Sequence, residues 1–208
     1  MPRELVVAVT GASGAIYAGR LLRALLVDGH AVHLVLSQYG RYLLVEELGF
    51  APDRESVVEF LVRLYGEEVR QGALREYRVG DLACALASGT ARLDGMVVLP
   101  CSMKTLAGIS HGLSSNLIER AADVSLKERR PLVLVPRETP LNLVHLRNLT
   151  AAAEAGALLV PAMPAFYQRP ASFDELGDFI AGRVLDLLGI EHRLFPRWQG
   201  PGSRPPTA

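Results

Sequence analysis

Five short stretches that are apolar almost throughout, residues 5–9, 31–36, 95–99, 132–135 and 157–160, recur along the chain, and segments with helical spacing lie between them. A strand that is apolar on both sides needs both faces of its sheet covered, whereas a strand half in water alternates. Strand, helix, strand in repeated order gives parallel pairing with helices as crossovers. The chain is therefore expected to be α/β, a three-layer, doubly wound parallel sheet. Ligands of such sheets bind beyond the carboxyl ends of the strands, so the residues directly after each apolar run are the candidates for function. Residues 50–94 are the hardest to read: 54–65 has helical spacing, 74–79 reads as a strand, and Gly66, Gly72, Gly80 and Gly89 interrupt the stretch.

The 208 residues suit one domain, expected over 1–195, and the Pro-, Gly- and Ser-rich residues 196–208 are expected to be a flexible or extended tail. Lys plus Arg is 22 and Asp plus Glu is 22, so no net charge draws the chain to nucleic acid or to an anionic membrane. No run approaches the ~18 apolar residues of a membrane span. The apolar run at the start is too short for a signal-peptide core, and Cys84 and Cys101 are too few for a disulfide framework, so the expected location is cytoplasmic.

The first strand runs into Thr10, Gly11, Ala12, Ser13 and Gly14 before a helix. Small residues there let a ligand approach the backbone, and a helix start offers amides to an anion. The spacing is not the Gly-x-Gly-x-x-Gly of a dinucleotide site, and the second strand ends at Ser37, where a ribose-binding acid would stand. A nicotinamide dinucleotide is thus disfavoured, and the Walker pattern is missing as well. After the strand at 95–99 come Ser102, Met103, Lys104 and Thr105, with Ser102 as a helix cap and Lys104 and Thr105 as anion partners. After 132–135 come Arg137, suited to phosphate or carboxylate, and Glu138, suited to proton transfer. After 157–160 a loop stiffened by Pro161, Pro164 and Pro170 carries Phe166 and Tyr167, which could wall a planar ring. Cys101 reads as a small buried hydrophobe, because no activating base stands beside it. His30, His33, His111, His145 and His192 lack metal-ligand spacing, so no metal site is expected.

Four motifs in this order, Thr10-Gly11-Ala12-Ser13-Gly14-Ala15, Cys101-Ser102-Met103-Lys104-Thr105-Leu106, Arg137-Glu138-Thr139-Pro140 and Pro161-Ala162-Met163-Pro164-Ala165-Phe166-Tyr167, resemble the flavin prenyltransferase (UbiX-like) family over roughly residues 4–190. The resemblance implies a flavodoxin-like Rossmann variant that binds FMN and takes its prenyl group from dimethylallyl monophosphate without a metal. It implies prenylated FMN as product for a UbiD-like decarboxylase, and a homo-oligomer, a dodecamer. Carried over, it puts Gly11, Ala12, Ser13, Ser37, Ser102, Met103, Lys104, Thr105 and Arg137 around FMN. Tyr167 and Arg183 would hold the prenyl phosphate, joined across subunits by Arg120 and Lys127, and Glu138 with Ser13 would be catalytic. In the implied reaction the dimethylallyl group joins the central-ring nitrogen of reduced FMN and a fourth ring closes onto the neighbouring benzenoid carbon. FMN-dependent cysteine decarboxylases share the fold, but their late loop carries Asn where this chain has Pro161-Ala162-Met163-Pro164. A non-catalytic flavin carrier would leave Glu138, Tyr167 and Arg183 without a required role.

Overall fold

In the computed structural model, which describes residues 1–198 and 200, six parallel strands form one sheet in the order β3-β2-β1-β4-β5-β6. They are β1 (Glu4–Val9), β2 (Ala31–Leu36), β3 (Ala73–Arg78), β4 (Gly95–Cys101), β5 (Leu132–Pro136) and β6 (Leu158–Leu159). The helices are α1 (Ala15–Val27), α2 (Gln38–Leu48), α3 (Val57–Tyr65), α4 (Met103–Ser110), α5 (Leu117–Lys127), α6 (Leu143–Glu154) and α7 (Phe173–Leu187). The strand order reverses between β1 and β4, the switch point where a doubly wound sheet opens a crevice.

The period of two along each strand explains the three layers. On β1, Leu5, Val7 and Val9 face one core with α1, α3 and α7, while Val6 and Ala8 face the other with α4 and α5. Val97 and Leu99 against Met96 and Val98 repeat the division on β4. The outer strand β3 carries Arg75, Glu76 and Arg78 on its exposed positions, charges that discourage pairing with another chain.

Local chemistry moves several boundaries from those expected. The helix expected at 54–65 starts at Val57, because Ser56 and Glu59 form a reciprocal capping box. That expected at 141–154 starts at Leu143, because Asn142 accepts the His145 N–H. The strand expected at 157–160 shortens to two residues at the sheet edge. The start of the expected tail packs back: Gln168 Nε2 donates to the Pro196 carbonyl at 3.2 Å, and the Trp198 ring stands 5.6 Å from that of Tyr167. Residues 199 and 201–208 of that tail lie outside the described residues.

Candidate functional site

Three strand ends are stitched together at the carboxyl edge. The buried Thr10 hydroxyl donates to the Pro100 carbonyl at 2.8 Å and accepts the Ser102 N–H at 2.7 Å, which ties the end of β1 to the start of α4. Arg137, after β5, sends Nε to the Ser13 carbonyl at 2.9 Å, so the motifs at 10–15, 101–106 and 137–140 meet. Burial pushes the Tyr17 hydroxyl up against the opposing pull of the Arg137 charge, which places that guanidinium beside α1 as well. Ser37 caps α2 by accepting the Gly40 N–H at 2.9 Å. A Cβ on Gly40 would lie 2.2 Å from the Val9 carbonyl oxygen, so only glycine lets the start of α2 press against the end of β1.

The first turn differs from its expected role as a phosphate cradle. Gly14 caps α1 at φ 118° without a side-chain bond. The amides of Gly14 and Ala15 donate to Glu47 Oε2 at 2.9 and 2.7 Å. The Ala12 amide turns back to the Thr10 carbonyl, and Ala12 itself is buried. A carboxylate from α2 thus occupies the positive end of α1, and a phosphate there would face its charge. Glu47 has no counterpart among the expected site residues: it follows Glu46 on the exposed part of α2, where an acid reads in sequence as solvated surface.

The start of α4 stays open. The Ser102 hydroxyl donates to Thr105 Oγ1 at 3.1 Å and accepts the Thr105 N–H at 3.3 Å, while the Met103 and Lys104 amides go to no described residue. Lys104 is exposed, and the Met103 side chain is buried in the core, so what Met103 can offer a ligand is its amide. Cys101 is fully buried and burial pushes its thiol up to about 12, which rules out a resting thiolate nucleophile. Two unspent amides, one ammonium and the Thr105 hydroxyl at the start of α4 suit a phosphate group such as that of FMN.

Glu138 is exposed at this edge, and its Oε1 accepts the Thr139 N–H at 3.0 Å; it makes no ion pair with Arg137. Tyr167 packs edge-on against Phe179 of α7 at 6.4 Å. Arg183 lies four residues beyond Phe179 and pairs with Asp186 at 2.8 Å. Arg120 and Lys127, on α5, point elsewhere within the chain: Arg120 holds the Ala87 carbonyl and Asp123, and Lys127 lies 3.8 Å from Glu128. Neither side chain pairs with a residue of the motifs at 10–15, 101–106 or 137–140. The histidines take structural partners, among them Asn148 for His111 and the Arg3 amide for His30. Among the described residues no three His, Cys, Asp or Glu side chains converge as metal ligands.

The doubly wound sheet, with an open, basic helix start at its switch point, is a nucleotide-binding architecture, and residues 1–184 match the family model described as Flavoprotein. A flavin prenyltransferase UbiX of Synechocystis sp. is 46% identical over 202 residues, covering 96% of this chain and 98% of the relative. The crystal structure of AnUbiX (PadA1) in complex with FMN and dimethylallyl pyrophosphate superposes with a TM-score of 0.85 at 42% identity, covering 96% of this chain and 99% of that one. A dodecameric FMN-dependent UbiX-like decarboxylase from Escherichia coli O157:H7 gives 0.83 at 41% identity, over 95% and 100%. The chain belongs to the UbiX family of flavin prenyltransferases.

Proposed function

We propose that the protein transfers a dimethylallyl group from dimethylallyl monophosphate to reduced FMN, releasing phosphate and giving prenylated FMN. The observation that carries this reading is the convergence of Ser13, the open start of α4 and Arg137 at the switch point of a chain so similar to flavin prenyltransferases. FMN supplies an electron-rich ring whose central nitrogen and neighbouring carbon take the five-carbon unit. Lys104, Thr105 and the Met103 and Lys104 amides hold the FMN phosphate in this reading, with Gly11, Ala12, Ser13, Ser37, Ser102 and Arg137 around the remainder of the ligand. Tyr167 and Arg183 hold the phosphate that leaves. Fixed cations stabilise that leaving group directly, so no metal is called for.

Glu138 accepts the proton lost on ring closure, assisted by Ser13, whose carbonyl is held by the neighbouring Arg137. The Glu138 carboxylate is exposed and takes only its neighbour's amide, so no ion pair holds it. Arg120 and Lys127 complete the phosphate site from a second subunit. Leu143 and Val144 on α6, each 60% exposed, and Phe173 at 80% supply apolar surface for the assembly, proposed as a dodecamer. The proposed location is the cytoplasm and the proposed recipient of product is a UbiD-like decarboxylase; no helix among the described residues is long and apolar enough to cross a membrane. The cysteine decarboxylase alternative is disfavoured by the loop at 161–164, which has no amide side chain to offer.

The test is anaerobic incubation of the protein with reduced FMN and dimethylallyl monophosphate. The expected product has the mass of FMN plus a five-carbon unit. Recovery of unmodified FMN alone, with the donor intact, would sink the reading, and a preference for the diphosphate donor would revise the leaving-group site.

A further inference from the structure

Tyr167 and Arg183, the two residues assigned to the donor phosphate, are met by two consecutive residues near the end of the described chain. The Trp198 ring stands edge-on to Tyr167 at 5.6 Å and 78°. Arg197 reaches Asp186, the same carboxylate that Arg183 holds. Asp186 lies one helical turn beyond Arg183 on α7, its side chain 18% exposed. Arg183 Nη1 donates to Oδ2 at 2.8 Å; Arg197 Nη1 donates to the same oxygen at 2.8 Å and stands 2.6 Å from Oδ1. His192, its side chain 1% exposed, accepts the Leu194 N–H on Nδ1, and its Nε2 stands 3.2 Å from both Asp186 Oδ1 and Arg197 Nη2.

The segment that brings Arg197 here lies flat on α7. A Cβ on Gly182 would come within 2.4 Å of Phe195 and 2.5 Å of His192, and the Phe195 ring packs 5.1 Å from Phe179. An arginine held by a carboxylate on its own helix is not free for a phosphate, and an uncompensated carboxylate beside that phosphate would repel it. Arg183 is half exposed and can swing, whereas Asp186 is the enclosed member of the pair. We infer that Arg197 neutralises Asp186 so that Arg183 can pass from Asp186 to the donor phosphate, which makes Arg197 a positioning residue and couples the 192–198 segment to donor binding. Burial raises the Asp186 carboxyl, but the Arg197 bond and the charges of Arg197 and Arg183 outweigh it and hold the group below its ordinary range, ionised at neutral pH. The inference rests on the assignment of Tyr167 and Arg183 to the donor.

Steady-state rates with reduced FMN and dimethylallyl monophosphate test it. Arg197→Gln leaves Arg183 as the main cation on Asp186, and KM for the donor is expected to rise about tenfold with kcat within about twofold. Asp186→Asn removes the competitor, so its KM stays at or below the wild-type value. The double variant is the decisive one, with KM expected to return to within about threefold of wild type. A double variant as poor as Arg197→Gln would mean that Arg197 touches the donor itself or merely holds the fold, and would overturn the inference. Trp198 is the sole tryptophan, so its emission during donor titration into the FMN-loaded protein reports the segment directly. A donor-dependent change is expected in wild type, at about tenfold more donor in Arg197→Gln; no change in wild type would overturn the coupling. If Arg183→Gln leaves KM untouched, the donor assignment itself fails. If Arg183→Gln raises KM and Arg197→Gln does not, only the present inference falls.

Discussion

The starts of α1 and α4 are the same kind of place, a strand running into a helix at the switch point of the sheet, yet they end in opposite electrostatic states. At α1 the chain answers its own helix: Glu47 takes the Gly14 and Ala15 amides. At α4 the cap residue Ser102 takes only the Thr105 amide, and Lys104 adds a positive charge. A helix start is therefore an anion site only where no side chain of the protein has already claimed it. The two are linked through Thr10, which bonds to both Pro100 and Ser102, so a ligand held at α4 is positioned against the first turn without being bound by its outer amides.

If this contrast is right, binding belongs to α4 and proton chemistry to the β5 end, and the two separate by mutation. Glu138→Gln should slow turnover by about 10² to 10⁴ while FMN affinity stays near wild type. Rapid mixing under anaerobic conditions would resolve the bond-forming steps, and unchanged rates for both would reduce Glu138 to a cap for Thr139. Lys104→Met removes the cation from the open helix start and should weaken FMN binding roughly ten- to a hundredfold, the worth of a charged hydrogen bond of about 1.5 to 3 kcal/mol. A fluorescence titration with FMN measures it, and an unchanged Kd would return the phosphate to the first turn.

The two starts also differ in how they answer to alkali. The β4 end holds the Cys101 thiol, raised by burial to about 12, whereas Thr10 at the β1 end does not titrate in the working range. A thiol whose folded value exceeds its unfolded one contributes stability that is complete below the unfolded value, about 8.5, and is lost as pH rises towards 12. Melting temperature should therefore fall above about pH 9, and Cys101→Ala should flatten that fall. Equal slopes for both proteins would remove the thiol as its cause.

Glu47→Gln is a finer probe, since it keeps an oxygen acceptor for the two amides but discards the charge. FMN affinity is expected to stay within about threefold of wild type if the phosphate lies at the other helix, as proposed. A tightening of tenfold or more would show the phosphate sitting opposite Glu47. The smallest expected effect is that of EDTA: turnover should be unchanged in its presence, since the proposed site holds the leaving phosphate with arginine, lysine and tyrosine side chains. Loss of activity restored by magnesium would break that assignment.

Composition and patterning carried the reading a long way. Strands apolar on both faces, each followed by a helix, left little choice but a covered parallel sheet, and that architecture points to the residues after each strand. Ser102 as a cap and Cys101 as a buried hydrophobe were legible because each depends on a few neighbouring residues. The middle of the chain was harder, since α3 depends on a capping box at Ser56 and Glu59, and β3 is an edge strand whose charges hide its period.

Periodicity and strand-end composition are properties of nearby residues, and from them follow the layered α/β build and the set of chemical groups gathered at one edge of it. Which of those groups are free to act was decided by tertiary structure alone. Glu47, 32 residues from the Ala15 amide that it takes, closes the first helix start. Arg137 crosses 124 residues to the Ser13 carbonyl. Asp186 gathers Arg183 from its own helix and Arg197 from a segment beyond it. Hydrogen bonds and charges act through space, and their partners are set only when the fold brings distant stretches within a few ångströms of one another.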